Sequence, residues 1–250
     1  MKDKIREFIN TKQFHIIMVC LIIFIIIFIA GISTLKYYVE GDNKLPFVLS
    51  KVSIISNVEG TDVEDANNKW NLDINQSNDI YLYIKKNDDF DKNETIKNII
   101  LDNFNVEQSP NVGKLKLYKP DTKVESVIFK NSTENEVQNI EYTGAMDSSI
   151  KEMKISNQGG LVVFRYAITE IGNYVSNDDQ EVKHGELLKK LSINNDDLKF
   201  KVTFDITINL DSNKSYKANM SLDLPVSDVV NNGTQSLNID NTDNIIFRRI

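Results

Sequence analysis

His184 is the only histidine beyond the first apolar segment, so any Ser–His–Asp chemistry in this chain would have to run through it. It stands in Glu181-Val182-Lys183-His184-Gly185-Glu186, without a nucleophile elbow or a glycine-rich oxyanion turn beside it, and reads as a solvated loop histidine. Carboxylates are plentiful, and a glycosidase would need two of them about 5 to 9.5 Å apart across a cleft. Here the acidic pairs Asp88-Asp89, Asp178-Asp179 and Asp196-Asp197 fall in polar stretches rather than interrupting apolar strands, the pattern of solvated turns. Asp211-Ser212-Asn213-Lys214-Ser215 opens with the spacing of a calcium loop. The turn glycine is missing and Leu222 stands where a bidentate glutamate would be needed, so it reads as a plain turn.

Cys20 is the only cysteine and lies inside the apolar segment, which leaves the remainder without a disulfide framework, a thiol nucleophile or a thiolate metal site. No phosphate-cradling glycine loop is present, and no cofactor is expected. Arginine is scarce, with four against 25 lysines, and three of the four hold unusual positions. Arg165 interrupts the apolar run 161–171, so it either pairs with an acidic neighbour or reaches the wet face of a strand. Arg248 and Arg249 sit in Ile245-Ile246-Phe247-Arg248-Arg249-Ile250, which reads as a last strand. These three are the candidate interaction or ion-pair positions.

The element that organises the rest is the segment between Lys12 and Lys36, which contains no Asp, Glu, Lys or Arg. Residues 14–32 would make a helix of about 28 Å, enough to cross the hydrocarbon core of a bilayer. A core helix would show a polar stripe, and none appears from Ile16 to Ile32. A cleaved signal peptide is the closer rival, but Ala30-Gly31-Ile32-Ser33-Thr34 is a poor processing site, and Val19 before Cys20 does not suit a lipoprotein signal. The expectation is an uncleaved anchor over 14–35, meeting lipid through Phe14, Ile16, Ile22, Ile27 and Ile32. Lys2, Lys4, Arg6 and Lys12 precede it, against Lys36, Lys44 and Lys51 after it, and Tyr37 and Tyr38 suit the outer headgroups. That places residues 1–13 in the cytoplasm, 36–46 as a short connector and 47–250 outside the cell membrane.

Residues 1–35 carry a net +2 and the whole chain −7, which leaves −9 on the remainder. An acidic domain without clustered Lys and Arg disfavours nucleic acid and anionic lipid as partners. Its pattern is that of strands: 47–56, 70–74, 80–85, 115–118, 124–129, 140–142 and the strongly apolar 161–171, with 59–68 as a polar loop. Residues 94–106 allow a helical or an extended reading, and β-branched content favours a bulged strand. A short helix is expected at 185–191, where Leu187, Leu188 and Leu191 share a face.

The clearest signal spans 198–226. Even positions from Leu198 to Leu210 and from Tyr216 to Val226 are apolar, and the odd positions of the first arm are polar. Period two over this length means two long antiparallel strands with one dry face. A three- or five-residue loop keeps the even positions of both arms on one side. Such a face must be covered by a second sheet, so the expected fold is all-β: an antiparallel sandwich, Ig-like or similar, with two packed sheets.

Lys44-Leu45-Pro46-Phe47-Val48-Leu49-Ser50-Lys51 after a single span, Gly159-Gly160 ahead of Arg165-Tyr166, and Leu222-Asp223-Leu224-Pro225 together resemble a group of uncharacterised single-span proteins from low-GC Gram-positive bacteria. The resemblance covers most of the chain and implies a bacterial cell membrane. It brings no activity and no site residue. The functional expectation is a non-enzymatic, membrane-tethered sandwich that binds another envelope protein or a wall component. The rival is a membrane-bound hydrolase using a carboxylate pair on wall polysaccharide. A pilin-like subunit is disfavoured, because no acidic residue follows a processing site at the start of the apolar helix.

Overall fold

The structure, a computed structural model, describes residues 12–40, 45–63, 69–90, 92–122, 129–148, 153–177 and 181–250. It divides into two compact units, Met1–Asn43 and Lys44–Ile250. In the first, α1 (Lys12–Glu40) is continuous, so Lys36–Glu40, expected as connector, belong to the helix. Its stretch Phe14–Lys36 is long and apolar enough to cross a membrane. Ile16, Ile22, Ile27 and Ile32 are all more than half exposed, an arrangement that suits lipid rather than water. The Thr34 hydroxyl donates to the Ala30 carbonyl at 2.8 Å and so satisfies itself within the helix.

The second unit is a sandwich of β1 (Phe47–Asp62), β2 (Trp70–Lys86), β3 (Ile96–Gln108), β4 (Lys114–Tyr118), β5 (Ile140–Gly144), β6 (Lys154–Ile155), β7 (Gly159–Ser176), β8 (Phe200–Leu210), β9 (Ser215–Leu224), β10 (Gln235–Ile239) and β11 (Arg248–Arg249). The first sheet has the order β10-β1-β2-β7-β4, and the second β11-β9-β8-β3-β5-β6. Every pairing is antiparallel except β5 with β6. The 198–226 pattern folds as expected. Phe200 pairs with Leu224 and each even residue of β8 from Phe200 to Ile208 meets an even residue of β9, so Val202, Phe204, Ile206, Tyr216, Met220 and Leu222 are all buried. At the centre of the core, the Phe204 ring lies 5.2 Å from Phe104 and 5.3 Å from Phe164, with Tyr166 and Phe200 completing the cluster.

Several boundaries move. The two strands expected at 70–74 and 80–85 are one, because the polar run Asn75–Asp79 between them keeps pairing with β1 and β7. Its inward members are buried in a closed hydrogen-bond set. The Gln76 and Asn78 amides donate to each other at 3.0 and 2.9 Å, and the Ser56 hydroxyl donates to Asn78 at 2.6 Å. The Val226 N–H donates to Ser56 at 2.9 Å, which ties the two sheets together. With their side chains paired in this way, Gln76 and Asn78 can lie inside a strand at little cost, whereas the Ser77 hydroxyl is buried without a partner among the described residues. β1 likewise continues to Asp62, so the first residues of the expected 59–68 loop are strand and 64–68 lie outside the described residues. β3 is extended with three register shifts, and Asn103 sits at φ +53 within one of them. Of the expected strand at 124–129, only Phe129 is described, and it is not in a strand.

A 3-10 turn (His184–Glu186) leads into α2 (Leu187–Lys190), which buries Leu187 and Leu188 where the short helix was expected. Two further single turns, α3 (Asn195–Leu198) and α4 (Val229–Asn232), start at Asn194 and Asp228. β4 stops opposite Arg165, so Val163 lies on a stretch of the β7 edge that no strand covers among the described residues. Tyr142, from β5 of the second sheet, closes it: its hydroxyl donates to the Val163 carbonyl at 3.0 Å and accepts from the Val163 N–H at 3.2 Å. Burial pushes this phenol up to about 12, the backbone bond only partly opposing, so it stays protonated and able to do both.

Candidate functional site

On β7 the alternation puts Val162, Phe164, Tyr166 and Ile168 into the core and turns Arg165 outward, where it pairs across with Asp79 of β2 and Tyr118 of β4. Arg165 is nevertheless only 6 % exposed. Its Nε and Nη2 donate to the two Asp79 oxygens at 2.5 and 3.1 Å, and Nη2 and Nη1 donate to the two Glu59 oxygens at 3.1 and 3.2 Å. Nη1 also donates to the Asn131 carbonyl oxygen at 3.2 Å, and the Phe129 ring centre lies 4.9 Å from the guanidinium carbon. Asn131 and Phe129 belong to a strap that passes over this face. It is stitched to β4 by Lys119 N–H to Asn135 O and Val137 N–H to Leu117 O, at 2.9 and 3.0 Å.

A planar guanidinium is the group for this position, because its fork grips two carboxylates at once and its face stacks on a ring. Burial works against its charge, and Asp79 and Glu59 more than compensate, holding Arg165 above its ordinary value. Burial lifts the Asp79 carboxyl above the usual carboxylate range, with Arg165 pulling it back and the charge of Glu59 adding to the rise. Glu59 and Asp79 thus serve as counter-ions to one cation rather than as a spaced acid and base.

Beside this node the first sheet hollows into a pocket of about 510 Å³. The cause is a break in the β2–β7 ladder. Ile74 pairs with Gly172 and Gln76 with Ile168, so one residue of β2 faces three of β7. The surplus residues carry Thr169 and Glu170 to the rim, with Glu170 at φ +58, and bulges of this kind re-aim side chains beside sites. Asn75, the single residue opposite, lines the pocket at 8 % exposure, and its side-chain amide makes no hydrogen bond among the described residues. Glu59, Thr61 and Asp73 form one wall, Lys116 and Tyr118 the other, and Phe129, Lys130, Asn131 and Ser132 of the strap overhang it. The charges are largely matched internally: Lys116 to Glu136 at 3.0 Å, Lys114 to Glu170 at 2.7 Å and Lys130 to Asp121 at 2.6 Å.

Of the residues singled out in the sequence, Arg165 is in this site, both paired and on the outward face. Arg248 and Arg249 are not brought to it. They pair with Lys217 and Tyr216 of β9 at the edge of the second sheet, as the last strand expected there. His184 is exposed, and its Nδ1 accepts from the Gly60 N–H at 3.1 Å. Asp211 lies in the β8–β9 turn and accepts from the Thr95 hydroxyl at 2.5 Å. Asp178 and Asp179 lie outside the described residues. Among the described residues, no three His, Cys, Asp or Glu side chains converge to hold a metal ion. Sequence reasoning missed Glu59, Asn75, Asp79 and Asn131, all in stretches that read as polar loop. The available signal was the matching parity of 70–74 and 80–84, which a strand running through 75–79 would explain.

Comparison with protein-family models, with curated proteins and with solved structures finds no match. Function therefore has to be read from the site itself.

Proposed function

We propose that this chain is a bacterial envelope protein held in the cell membrane by α1, with residues 1–13 on the cytoplasmic side and the sandwich outside, and that the sandwich binds another envelope protein or a wall component through the hollow on its first sheet. The observation that carries this reading is the hollow with its fixed wall. The bidentate grip of Arg165 on Asp79 and Glu59 sets the position of a wall carboxylate before any partner arrives, and pre-organisation of this kind is what favours binding. Two further facts support it. The stretch Phe14–Lys36 of α1 is long and apolar enough to serve as a tether. Glu59 lies a dozen residues along β1 from Phe47, about 40 Å of strand, so the hollow is set well away from where the chain joins the sandwich.

Native Cys20 lies within α1, so a cysteine introduced at Thr61 is distinguishable from it. On intact cells a membrane-impermeant maleimide should label Thr61→Cys, and labelling only after permeabilisation would overturn the orientation. A photo-crosslinking side chain at Ser132, on the rim, should give discrete envelope adducts that the same group at Thr203, on the outward face of β8, does not. Equal adducts from both positions would remove the hollow as the binding surface.

A further inference from the structure

We infer that the hollow takes a neutral, hydroxyl-rich ligand, a short stretch of sugar chain, an inference that rests on the binding reading above and names its ligand class. The pocket volume, about 510 Å³, lies in the range of small-ligand sites. What decides the class is which groups remain unused. Glu59 is spent on Arg165, Glu170 on Lys114, Lys116 on Glu136 and Lys130 on Asp121. At these residues an ionic ligand would have to break an existing pair to gain a partner. Asp73, the remaining carboxylate of the lining, accepts only from the Asn173 amide at 3.2 Å.

Asp73 apart, the groups with open capacity are amides and hydroxyls. Asn75 is more than nine-tenths buried, and its amide, without a hydrogen bond among the described residues, stays open to the hollow, so its donors and its acceptor are available to a ligand. Asn131 has spent its carbonyl on Arg165 and keeps its two N–H donors. Thr61 and Ser132 add hydroxyls from opposite sides of the opening. Amides and hydroxyls both donate and accept, and so does every hydroxyl of a sugar, whereas a cation only donates and a phosphate mainly accepts. Phe129 contributes the apolar surface on which the C–H face of a sugar ring can rest, its ring held in place by Arg165.

The test uses the full chain in lipid nanodiscs, free of glycoside detergent, titrated calorimetrically with chitotetraose, cellotetraose and maltotetraose, and separately with spermine and inositol hexaphosphate. At least one tetrasaccharide should bind saturably, and Asn75→Leu should weaken it at least tenfold. If Asn75→Leu fails to fold, Thr61→Val, at an exposed position, carries the test with a loss of several-fold and an unchanged melting temperature. Absence of binding by all three tetrasaccharides, binding that neither variant weakens, or preferential binding of either charged probe would overturn the inference. Rim-specific adducts at Ser132 together with no tetrasaccharide binding would leave the hollow as a protein-binding surface and remove only the sugar. Labelling of Thr61→Cys only in permeabilised cells would remove the envelope reading whatever the titrations gave.

Discussion

Asp79 on β2 and Asp205 on β8 hold matching stations: each points outward from an interior strand and meets a basic side chain on the neighbouring strand, Arg165 at 2.5 Å and Lys217 at 2.8 Å. Their surroundings are opposite. The strap with Phe129 and Asn131 closes over Asp79 and its partner, and burial raises that carboxyl. Asp205 is also partly buried, but hydrogen bonds from Asn103 and Asn219 and the charge of Lys217 win, and its carboxyl is lowered. Alternation along a strand therefore separates two faces without saying whether the outward one is wet. What lies over it decides.

The contrast can be broken at four places. Phe204→Ala should cost the most, about 3–5 kcal/mol, since its ring sits at the centre of the aromatic cluster. Urea melts followed by the fluorescence of Trp70 would read it. Arg165→Leu should cost nearly as much, about 3 kcal/mol, because it strands Asp79 and Glu59 without their cation. An outward residue would then matter almost as much as an inward one. If Arg165→Leu cost under about 1 kcal/mol, the strap would not be sealing the node, and the two faces would be alike after all.

Asp205→Ala should cost less, about 1 kcal/mol, the loss of several half-exposed hydrogen bonds. Acid gives the finest discrimination. Because Asp205 ionises at lower pH folded than unfolded, its share of stability is whole above the unfolded value of about 3.9 and is lost as pH falls through the folded value. Asp205→Asn should flatten the decline of stability below about pH 4. Asp79, raised on folding, works with the opposite sign: its share is present below the unfolded value and falls as pH climbs through the raised one. Asp79→Asn should leave that acid decline unflattened, and a flattening equal to that of Asp205→Asn would show the two carboxylates to be equivalent.

The same two regions explain what could be read from the chain alone. The β8–β9 arms are legible because each even residue meets core and each odd one, the buried Thr207 apart, is at least partly exposed, so local chemistry and tertiary setting agree. The middle of β2 is not legible, since Asn75, Gln76, Ser77 and Asn78 have loop chemistry and become strand only through pairing with β1 and β7, with Asn78 bonded to Ser56 and Tyr166. Arg165 stood out because a charge inside an apolar run needs a reason. Its partners did not, because Glu59 and Asp79 come within reach only through the β1–β2–β7 register, and register between distant strands is not written in either strand's composition.

The Tyr142 hydroxyl lies on the other side of the sandwich's economy, where shape meets solubility. A strand edge that ends with an N–H and a carbonyl unmet is a template on which a neighbouring molecule can add a strand of its own. By occupying both groups of Val163 at once, a side chain from the opposite sheet finishes the ladder where β4 runs out. A single phenol closing that rung removes one template on which another copy could add a strand.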